Sequence, residues 1–254
     1  MSNRLPHDEV VPFSASTLTK KQQVATMFDR IAFRYDFLNR FLSAGIDIYW
    51  RKRAISELKL ASPRTILDMA TGTGDMAIMM SKRLKEAEIV GIDLSNGMLD
   101  IAREKIAKLG LADKIIMKQG DSEHIDFPSG SFDAVTVAFG VRNYQNLQKG
   151  LQEMLRVLKP GGKLVVLEFS RPKQPVKMFY DLYMQRICPM FGQLFSKNGE
   201  AYRYLNNSVK AFPQGTEFTG IMKEVGYQKV YSKRMTSGIC SIYCGTKPPG
   251  LFVS

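Results

Sequence analysis

A glycine-rich segment at residues 72–77 carries the clearest chemistry in the sequence. Gly72-Thr-Gly-Asp-Met-Ala77 fits the pattern G-x-G-x-x-A, after a short apolar stretch and before a segment with helical spacing. Glycines in such a loop let the backbone approach a ligand closely, and both dinucleotides and S-adenosylmethionine bind to loops of this kind. The loop therefore predicts a nucleotide-containing ligand, and a tight turn without a ligand is the alternative.

Acidic residues around the loop favour S-adenosylmethionine over a dinucleotide. Asp68 precedes the glycines and Asp75 follows them, where a pyrophosphate would lie against the helix N-terminus. Negative charges there oppose a diphosphate and suit the ammonium group of a methionine moiety. Asp93 can accept hydrogen bonds from both ribose hydroxyls, and Asp121 can accept one from the adenine amino group. The residues predicted to bind the cofactor are Asp68, Gly72, Thr73, Gly74, Asp93 and Asp121.

Histidines and cysteines offer little for metal or nucleophilic chemistry. The sequence holds two histidines, and His124 is predicted to be a surface loop residue. Cys240 and Cys244 fall on one face of a predicted strand, which is a core face, and Cys188 lies in an apolar helical stretch. We therefore predict no metal site, and the odd number of cysteines without paired spacing indicates a reducing compartment.

Alternating strands and helices position the candidate residues. Short strands are predicted at 65–70, 89–93, 115–118, 132–139 and 163–168, with helices at 76–84, 95–109 and 147–158. This alternation predicts right-handed βαβ units and a parallel sheet. Arg142 and Asn143 follow the fourth strand, at the edge where open parallel sheets bind ligands. A role in shaping that loop is the alternative for both residues.

The sequence predicts one domain with a polar arm in front of it. The predicted parts are a flexible arm (1–19), a single domain (20–254) with N-terminal helices (20–64), a nucleotide-binding core (65–170), a helical insert rich in methionine and aromatic residues (173–212) and C-terminal strands (213–247).

The positive charge lies in the flanks of the chain. Lys and Arg number 36 against 24 Asp and Glu, giving a net charge of +12, and the central part of the chain is almost neutral. Basic flanks suit an anionic surface, such as phospholipid head groups or RNA. No stretch is apolar enough to span a bilayer and the N-terminus lacks a secretion signal, so we expect a cytoplasmic protein.

Three segments resemble the UbiE/COQ5 family of methyltransferases, and the similarity extends over about residues 22–247. They are the stretch from Arg156 to Ser170, which contains Lys-Pro-Gly-Gly and ends in Glu-Phe-Ser, the segment Phe139-Gly-Val-Arg-Asn143, and the stretch from Tyr35 to Trp50. Three positions depart from the family pattern. Leu38 and Asp47 occupy positions where the family usually has methionine and histidine. Ala138 occupies a position where related sequences often have a serine near the cofactor.

This resemblance implies a fold, a cofactor and a reaction. The fold is that of class I S-adenosylmethionine-dependent methyltransferases, Rossmann-like, with a seven-stranded, mostly parallel sheet, N-terminal helices and a helical lid. The reaction is C-methylation of a polyprenylated quinol, demethylmenaquinol to menaquinol, at the last step of menaquinone synthesis. The alternatives are a benzoquinol of the ubiquinone pathway and, more remotely, an RNA methyltransferase or a non-catalytic S-adenosylmethionine-binding module. Ser122 and Ala138 join the cofactor residues.

Methylation of a ring carbon sets requirements for the catalytic residues. The neighbouring hydroxyl must lose its proton, and the resulting oxyanion needs a cation or hydrogen-bond donors. We predict that Arg142 stabilises the oxyanion, that Asn143 orients the ring and that Asp121, directly or through water, accepts the proton. Tyr35 either faces the site or joins the N-terminal helices to the sheet.

The insert at 173–212 carries an apolar stripe that includes Phe191 and Phe195. Packing on the sheet edge is the ordinary interpretation of such a stripe. Because the insert follows the fifth strand and lies in a basic segment, we predict a mobile lid that guides the polyprenyl tail, with peripheral contact at the inner face of the membrane. Nucleic acid is not an expected partner, and homo-oligomerisation stays open.

Overall fold

A computed structural model describes residues 5–43, 45–182 and 200–250. The strands are β1 (Thr65–Met69), β2 (Glu88–Asp93), β3 (Ile115–Gln119), β4 (Phe132–Ala138), β5 (Leu158–Phe169), β6 (Gln228–Met235) and β7 (Cys240–Thr246). The helices are α1 (Lys20–Leu42), α2 (Ile46–Ser56), α3 (Asp75–Arg83), α4 (Asn96–Lys108), α5 (Leu147–Val157), α6 (Val176–Leu182), α7 (Glu200–Ala211) and α8 (Thr216–Val225).

The strands form one seven-stranded sheet in the order β3-β2-β1-β4-β5-β7-β6. Strands β1 to β5 are parallel, and β7 runs antiparallel to both β5 and β6. The chain order reverses between β1 and β4, and open sheets of this kind bind ligands at the carboxyl ends of the strands on either side of the reversal. The predicted seven-stranded, mostly parallel sheet is confirmed.

Alternation along the central strands divides the core into two layers. Ile66 packs into a cluster with α2, α3 and α4, while the next residue, Leu67, packs into a cluster with α5 and α8 on the opposite face. Both residues are fully buried, as expected for a parallel sheet with helices on both sides. The two layers hold the strand ends, and hence the site, in fixed positions.

Helices α4 and α5 begin at side-chain caps, and α3 does not. The Ser95 hydroxyl accepts a hydrogen bond from the Met98 N–H at 3.1 Å, and Asn146 caps α5. Helix α3 begins after Gly74, whose φ of 79° is left-handed, and it has no side-chain cap. Its first backbone N–H groups therefore lack a capping side chain at the end of the glycine loop.

Two predicted regions differ from the structure. The predicted flexible arm packs from residue 5 onward: Pro6–Glu9 form a 3₁₀ turn, and His7 is fully buried with its ring edge-on to Phe212. The predicted C-terminal strands 213–247 contain helix α8, because Phe218, Ile221 and Met222 lie at helical spacing and are buried. Only the two ends of the insert, α6 and α7, lie in the described part, so Cys188, Phe191 and Phe195 fall outside it. Within the described ranges, no helix combines the length and apolar character needed to cross a membrane.

Candidate active site

A cavity opens at the carboxyl ends of β1, β2 and β4, and the empty space within it and its open mouth is about 670 Å³. Six predicted site residues line it: Tyr35, Gly72, Asp93, Asp121, Ser122 and Asn143. A smaller adjoining pocket shares Tyr35 and Gly72 and adds Asp68, Thr73 and Ala138. The structure thus brings most of the predicted residues to one place.

Helix α1 forms one wall of the cavity through Lys21, Val24, Ala25, Phe28 and Tyr35. The sequence predicts N-terminal helices in residues 20–64, but their spacing does not show which part of the sheet they cover. Lys21, Val24 and Phe28 were therefore not predicted as site residues. Burial raises the pKa of Tyr35, so its phenol stays protonated and can donate a hydrogen bond in the cavity.

Asp68 holds the glycine loop in position through hydrogen bonds. The Thr71 and Thr136 hydroxyls each donate a hydrogen bond of 2.6 Å to this carboxylate, one to each oxygen. Burial raises the pKa of Asp68 to about 6, and the two hydroxyl donors oppose that shift. Asp68 therefore fixes the turn that presents Gly72 and Thr73 to the cavity.

Asp93 is placed for the predicted contact with a ribose. Its Oδ2 accepts a hydrogen bond from the Gly72 N–H at 2.8 Å, and its Oδ1 accepts one from the Ser95 N–H at 2.9 Å. Burial raises the pKa of this carboxyl group, and the backbone donors counteract the shift. Each carboxylate oxygen has a second lone pair, so Asp93 can also accept hydrogen bonds from a ligand in the cavity.

At the other end of the cavity, Asp121 is bound by a lysine that the sequence argument missed. The Lys21 Nζ lies 2.6 Å from Asp121 Oδ2 and 2.9 Å from Glu123 Oε2. Burial disfavours the charge on Lys21, but the two carboxylates outweigh burial and raise its pKa. Helix α1 is thereby held to the loop after β3 across the end of the site predicted for adenine.

Asp75 lines the smaller pocket and is paired with cations of the protein itself. Lys105 and Arg40 lie 2.5 Å and 3.2 Å from its carboxylate, and Lys105 also contacts Asp36 on α1 at 2.9 Å. Although burial opposes ionisation, Lys105 and the nearby arginines hold the pKa of Asp75 below its usual value. The predicted attraction between Asp75 and the ammonium group of a ligand stays a prediction, and these two cations would compete with it.

Arg142 does not line either pocket. Its Nη1 donates to Glu168 Oε1 at 2.7 Å and to the Phe139 carbonyl at 2.5 Å, and both side chains of the ion pair are buried. Its neighbour Asn143 faces the cavity. Among the described residues, Arg142 Nε, Asn143 Oδ1 and the hydroxyl of Tyr204 on α7 are buried without a hydrogen-bond partner. The charge of Arg142 acts on the Tyr204 hydroxyl, so these two groups lie close to each other.

The loops that follow β1 and β4 touch each other. Ala70 and Phe139, directly after these strands, have left-handed φ values of 50° and 61°, which cost energy for residues other than glycine. A Cβ atom placed on Gly140 would lie 2.5 Å from the Ala70 Cβ. Glycine at position 140 is therefore what allows the two loops to pack together beneath the cavity.

The sheet order, the glycine loop after β1 and the acidic residues after β2 and β3 define a class I S-adenosylmethionine-dependent methyltransferase. The fold is similar to that of a S-adenosylmethionine-dependent methyltransferase from Thermotoga maritima, with a TM-score of 0.62 at 17% identity over 88% of this chain and 99% of that one. The chain belongs to the ubiE/COQ5 methyltransferase family, whose model matches residues 16–247.

Two relatives resemble this chain over most of their length. The demethylmenaquinone methyltransferase of Bacteroides fragilis is 45% identical over 95% of this chain and 99% of its own. The ubiquinone/menaquinone biosynthesis C-methyltransferase UbiE of Geobacter sulfurreducens is 45% identical over 91% of each chain. The family and the fold give S-adenosylmethionine as the cofactor.

The residues present fit this cofactor. Asp93 offers free acceptor positions beside Gly72, Asp121 lies at the far end of the cavity, and the smaller pocket joins the cavity at Tyr35 and Gly72. The two pockets together can hold an adenosine and a methionine moiety. When bound, S-adenosylmethionine supplies an electrophilic methyl group.

Proposed function

We propose that this protein transfers a methyl group to a ring carbon of a polyprenylated quinol, converting demethylmenaquinol to menaquinol. The observation that carries the proposal is the 45% identity to the Bacteroides fragilis demethylmenaquinone methyltransferase over nearly the full length of both chains. The cavity adds support, because apolar side chains of α1 face polar groups after β4, as an apolar ring with hydroxyls requires.

The chain's own residues have three tasks in this reaction. They hold the ring carbon in line for attack, which can supply roughly 7–11 kcal/mol of the barrier. They remove the hydroxyl proton, and they stabilise the oxyanion that remains.

Asn143 is proposed to orient the ring. It lines the cavity, and its buried Oδ1 has no partner among the described residues, so it is available to accept a hydrogen bond from a quinol hydroxyl. Tyr35 lines both pockets and keeps its proton, which makes it a donor to the oxyanion rather than a base. An imidazole is not needed for either role.

Arg142 is proposed to act on the oxyanion through its charge and its unpaired Nε. Because Glu168 already holds Nη1, the guanidinium cannot move freely toward the ring. A water molecule is the proposed proton acceptor, since Asp121 is paired with Lys21 at the end of the cavity assigned to adenine.

A benzoquinol of the ubiquinone pathway is the second candidate substrate, since the Geobacter relative is named for both pathways. An RNA substrate is disfavoured because the segment after β4 reads Ala-Phe-Gly-Val-Arg-Asn and lacks the Asn/Asp-Pro-Pro-Tyr/Phe motif of many nucleic-acid methyltransferases.

A transfer assay with radiolabelled S-adenosylmethionine tests the proposal. Reduced demethylmenaquinone, reduced demethylated benzoquinone and bulk tRNA serve as acceptors, with the quinones supplied in both oxidised and reduced forms. We expect label only in the reduced quinones, with higher kcat/KM for the naphthoquinol. Label in tRNA, or equal labelling of oxidised and reduced quinones, would contradict the proposed chemistry.

A further inference from the structure

Arg51 on α2 is a buried cation without a hydrogen bond. Its side chain is 7% exposed, and none of its N–H groups donates a hydrogen bond to a residue within the described ranges. A guanidinium carries five donors, and a buried donor without a partner typically costs about 1–3 kcal/mol. Native proteins seldom leave such a group unpaired, so this position indicates a missing acceptor.

The Asp47 carboxylate forms an ion pair with Arg51 but accepts no hydrogen bond from it. Asp47 Oδ2 lies 3.6 Å from Arg51 Nε, beyond hydrogen-bond distance. Asp47 is bound instead by Arg40 at 2.7 Å and by the Ser43 hydroxyl at 2.9 Å. By contrast, the other deeply buried arginine described above, Arg142, has its own carboxylate in Glu168.

Arg51 lines the smaller pocket beside the glycine loop. The same pocket is lined by Asp68, Thr71, Gly72 and Thr73. Of the described residues that line either pocket, the cations are Arg51 and Lys21, and Lys21 is held at the opposite end by Asp121 and Glu123. The end of the site beside the glycine loop therefore presents one cation with free donors.

The guanidinium is held in place before any ligand binds. Its Cζ lies 5.2 Å from the centroid of the Phe139 ring, a cation–π contact. Phe139 is itself fixed, because its N–H donates to the Leu167 carbonyl at 2.7 Å and its ring packs edge-on against Trp50. An arginine fixed in this way loses little conformational entropy when it binds a carboxylate.

We propose that Arg51 binds the α-carboxylate of the methionine moiety of S-adenosylmethionine. A carboxylate is planar and accepts two hydrogen bonds from a guanidinium, so one ligand group would satisfy the donors that the protein leaves free. The acidic side chain of Asp68, which lines the same pocket, would then lie near the ammonium group of the methionine moiety. This inference rests on S-adenosylmethionine as the methyl donor and is independent of the methyl acceptor.

Calorimetry with truncated ligands tests this assignment in the full-length protein. The ligands are S-adenosylhomocysteine, its decarboxylated analogue, which keeps the ammonium group, and 5′-methylthioadenosine, which lacks both charged groups. For Arg51→Met we expect affinity for S-adenosylhomocysteine to fall about 10- to 100-fold, as for loss of charge-assisted hydrogen bonds. Affinity for the other two ligands should stay unchanged, and Arg51→Lys should recover part of the loss.

Arg53→Met is the matched control, since Arg53 lies on the same helix and is exposed. The melting temperature of each ligand-free variant reports folding. If Arg51→Met lowers affinity for all three ligands equally, Arg51 shapes the pocket and does not bind the carboxylate. If Arg51→Met does not fold, the test is made with the wild-type protein alone. Equal affinity of the wild type for S-adenosylhomocysteine and its decarboxylated analogue would overturn the inference. None of these binding measurements requires a quinol substrate.

Discussion

Asp93 holds the glycine loop and faces the cavity at the same time. Asp93→Ala should lower the affinity for S-adenosylmethionine by roughly 1.5–3 kcal/mol, because it removes charge-assisted acceptors for the ribose hydroxyls and frees the Gly72 N–H. Calorimetry with S-adenosylhomocysteine measures the change. Unchanged affinity, or tight binding of NAD to the wild type, would show that the ligand has been wrongly assigned.

Arg142 requires a test that separates catalysis from folding. If it stabilises the oxyanion, Arg142→Ala should lower kcat by roughly 10²–10³-fold with little change in cofactor affinity. The same change leaves Glu168 buried without its cation, so the free energy of unfolding should fall by about 3–5 kcal/mol. Steady-state kinetics and urea denaturation measure the two effects.

The double variant Arg142→Met with Glu168→Gln is the control for the single change. It replaces both charges, so most of the lost stability should return. If Arg142 acts on the oxyanion, the double variant folds and stays slow. Recovery of kcat together with stability would mean that Arg142 only supports the loop after β4.

Sequence motifs identified those site residues whose positions follow from their places at the ends of strands. Gly72 and Asp93 could be predicted because a loop after one strand and an acid at the end of the next meet in any sheet of this type. The partners of Asp75 could not be predicted, because they come from α1 and α4, and neither could the partner of Arg142, which comes from β5. The free donors of Arg51 could not be predicted either, because they result from the lack of an acceptor within hydrogen-bond distance. These are tertiary relations that spacing along the chain does not encode.

Acid should destabilise the folded protein at its N-terminal segment, because His7 is buried there in its neutral form. Burial, with a smaller effect of Lys20, lowers the pKa of His7 from 6.5 to about 3. Between these values the unfolded chain binds more protons than the folded one, so stability is complete above pH 6.5 and falls as the pH drops, by at most about 1.4 kcal/mol per pH unit.

Urea denaturation at pH 7.5 and pH 5.0 measures this dependence, with His7→Leu as the comparison. Carboxyl groups away from residue 7 titrate alike in both proteins, so the difference between them reports His7 together with its contact to Asp8, whose Oδ1 lies 3.2 Å from His7 Nε2. We expect the wild type to lose more stability than His7→Leu over this interval. Equal losses would indicate that His7 is protonated in the folded protein and that its environment is not apolar.

At the level of elements, periodicity located β1 to β5 and the helices between them. It missed α8, where Phe218, Ile221 and Met222 were available as a signal within a segment assigned to strands. It also interpreted residues 1–19 as a loose arm, since a polar, non-periodic stretch shows no sign of the neighbours that bury His7. The distinction depends on α7 and Phe212, which are distant in sequence.

The insert at 173–212 remains a proposed lid. Its described ends carry exposed apolar side chains, Met178 on α6 and Leu182 at its end. Replacing Phe191 and Phe195 together by serine should slow turnover of a quinol with a prenyl tail and leave a tailless quinol unaffected. Comparison of kcat/KM for the two substrates measures this effect. Equal effects on both substrates would assign these side chains to packing.

For the whole molecule, the net charge of +12 predicts binding to anionic membranes. Each basic residue near an anionic leaflet contributes about 1 kcal/mol, and salt screens the attraction. In flotation experiments the protein should bind vesicles that contain anionic lipid, and binding should weaken as the salt concentration increases. It should not bind neutral vesicles. Salt-independent binding, or none, would contradict peripheral contact driven by charge.

The contact between Gly140 and Ala70 has a consequence for protein engineering. Residues after β4 are the natural target for changing the ring that the enzyme accepts, while residues after β1 are proposed to hold the cofactor. Because the two loops touch where only a hydrogen atom fits, a redesigned β4 loop will pack against this β1 loop only if it keeps glycine at position 140. Changes of acceptor specificity in this loop should therefore leave that position untouched.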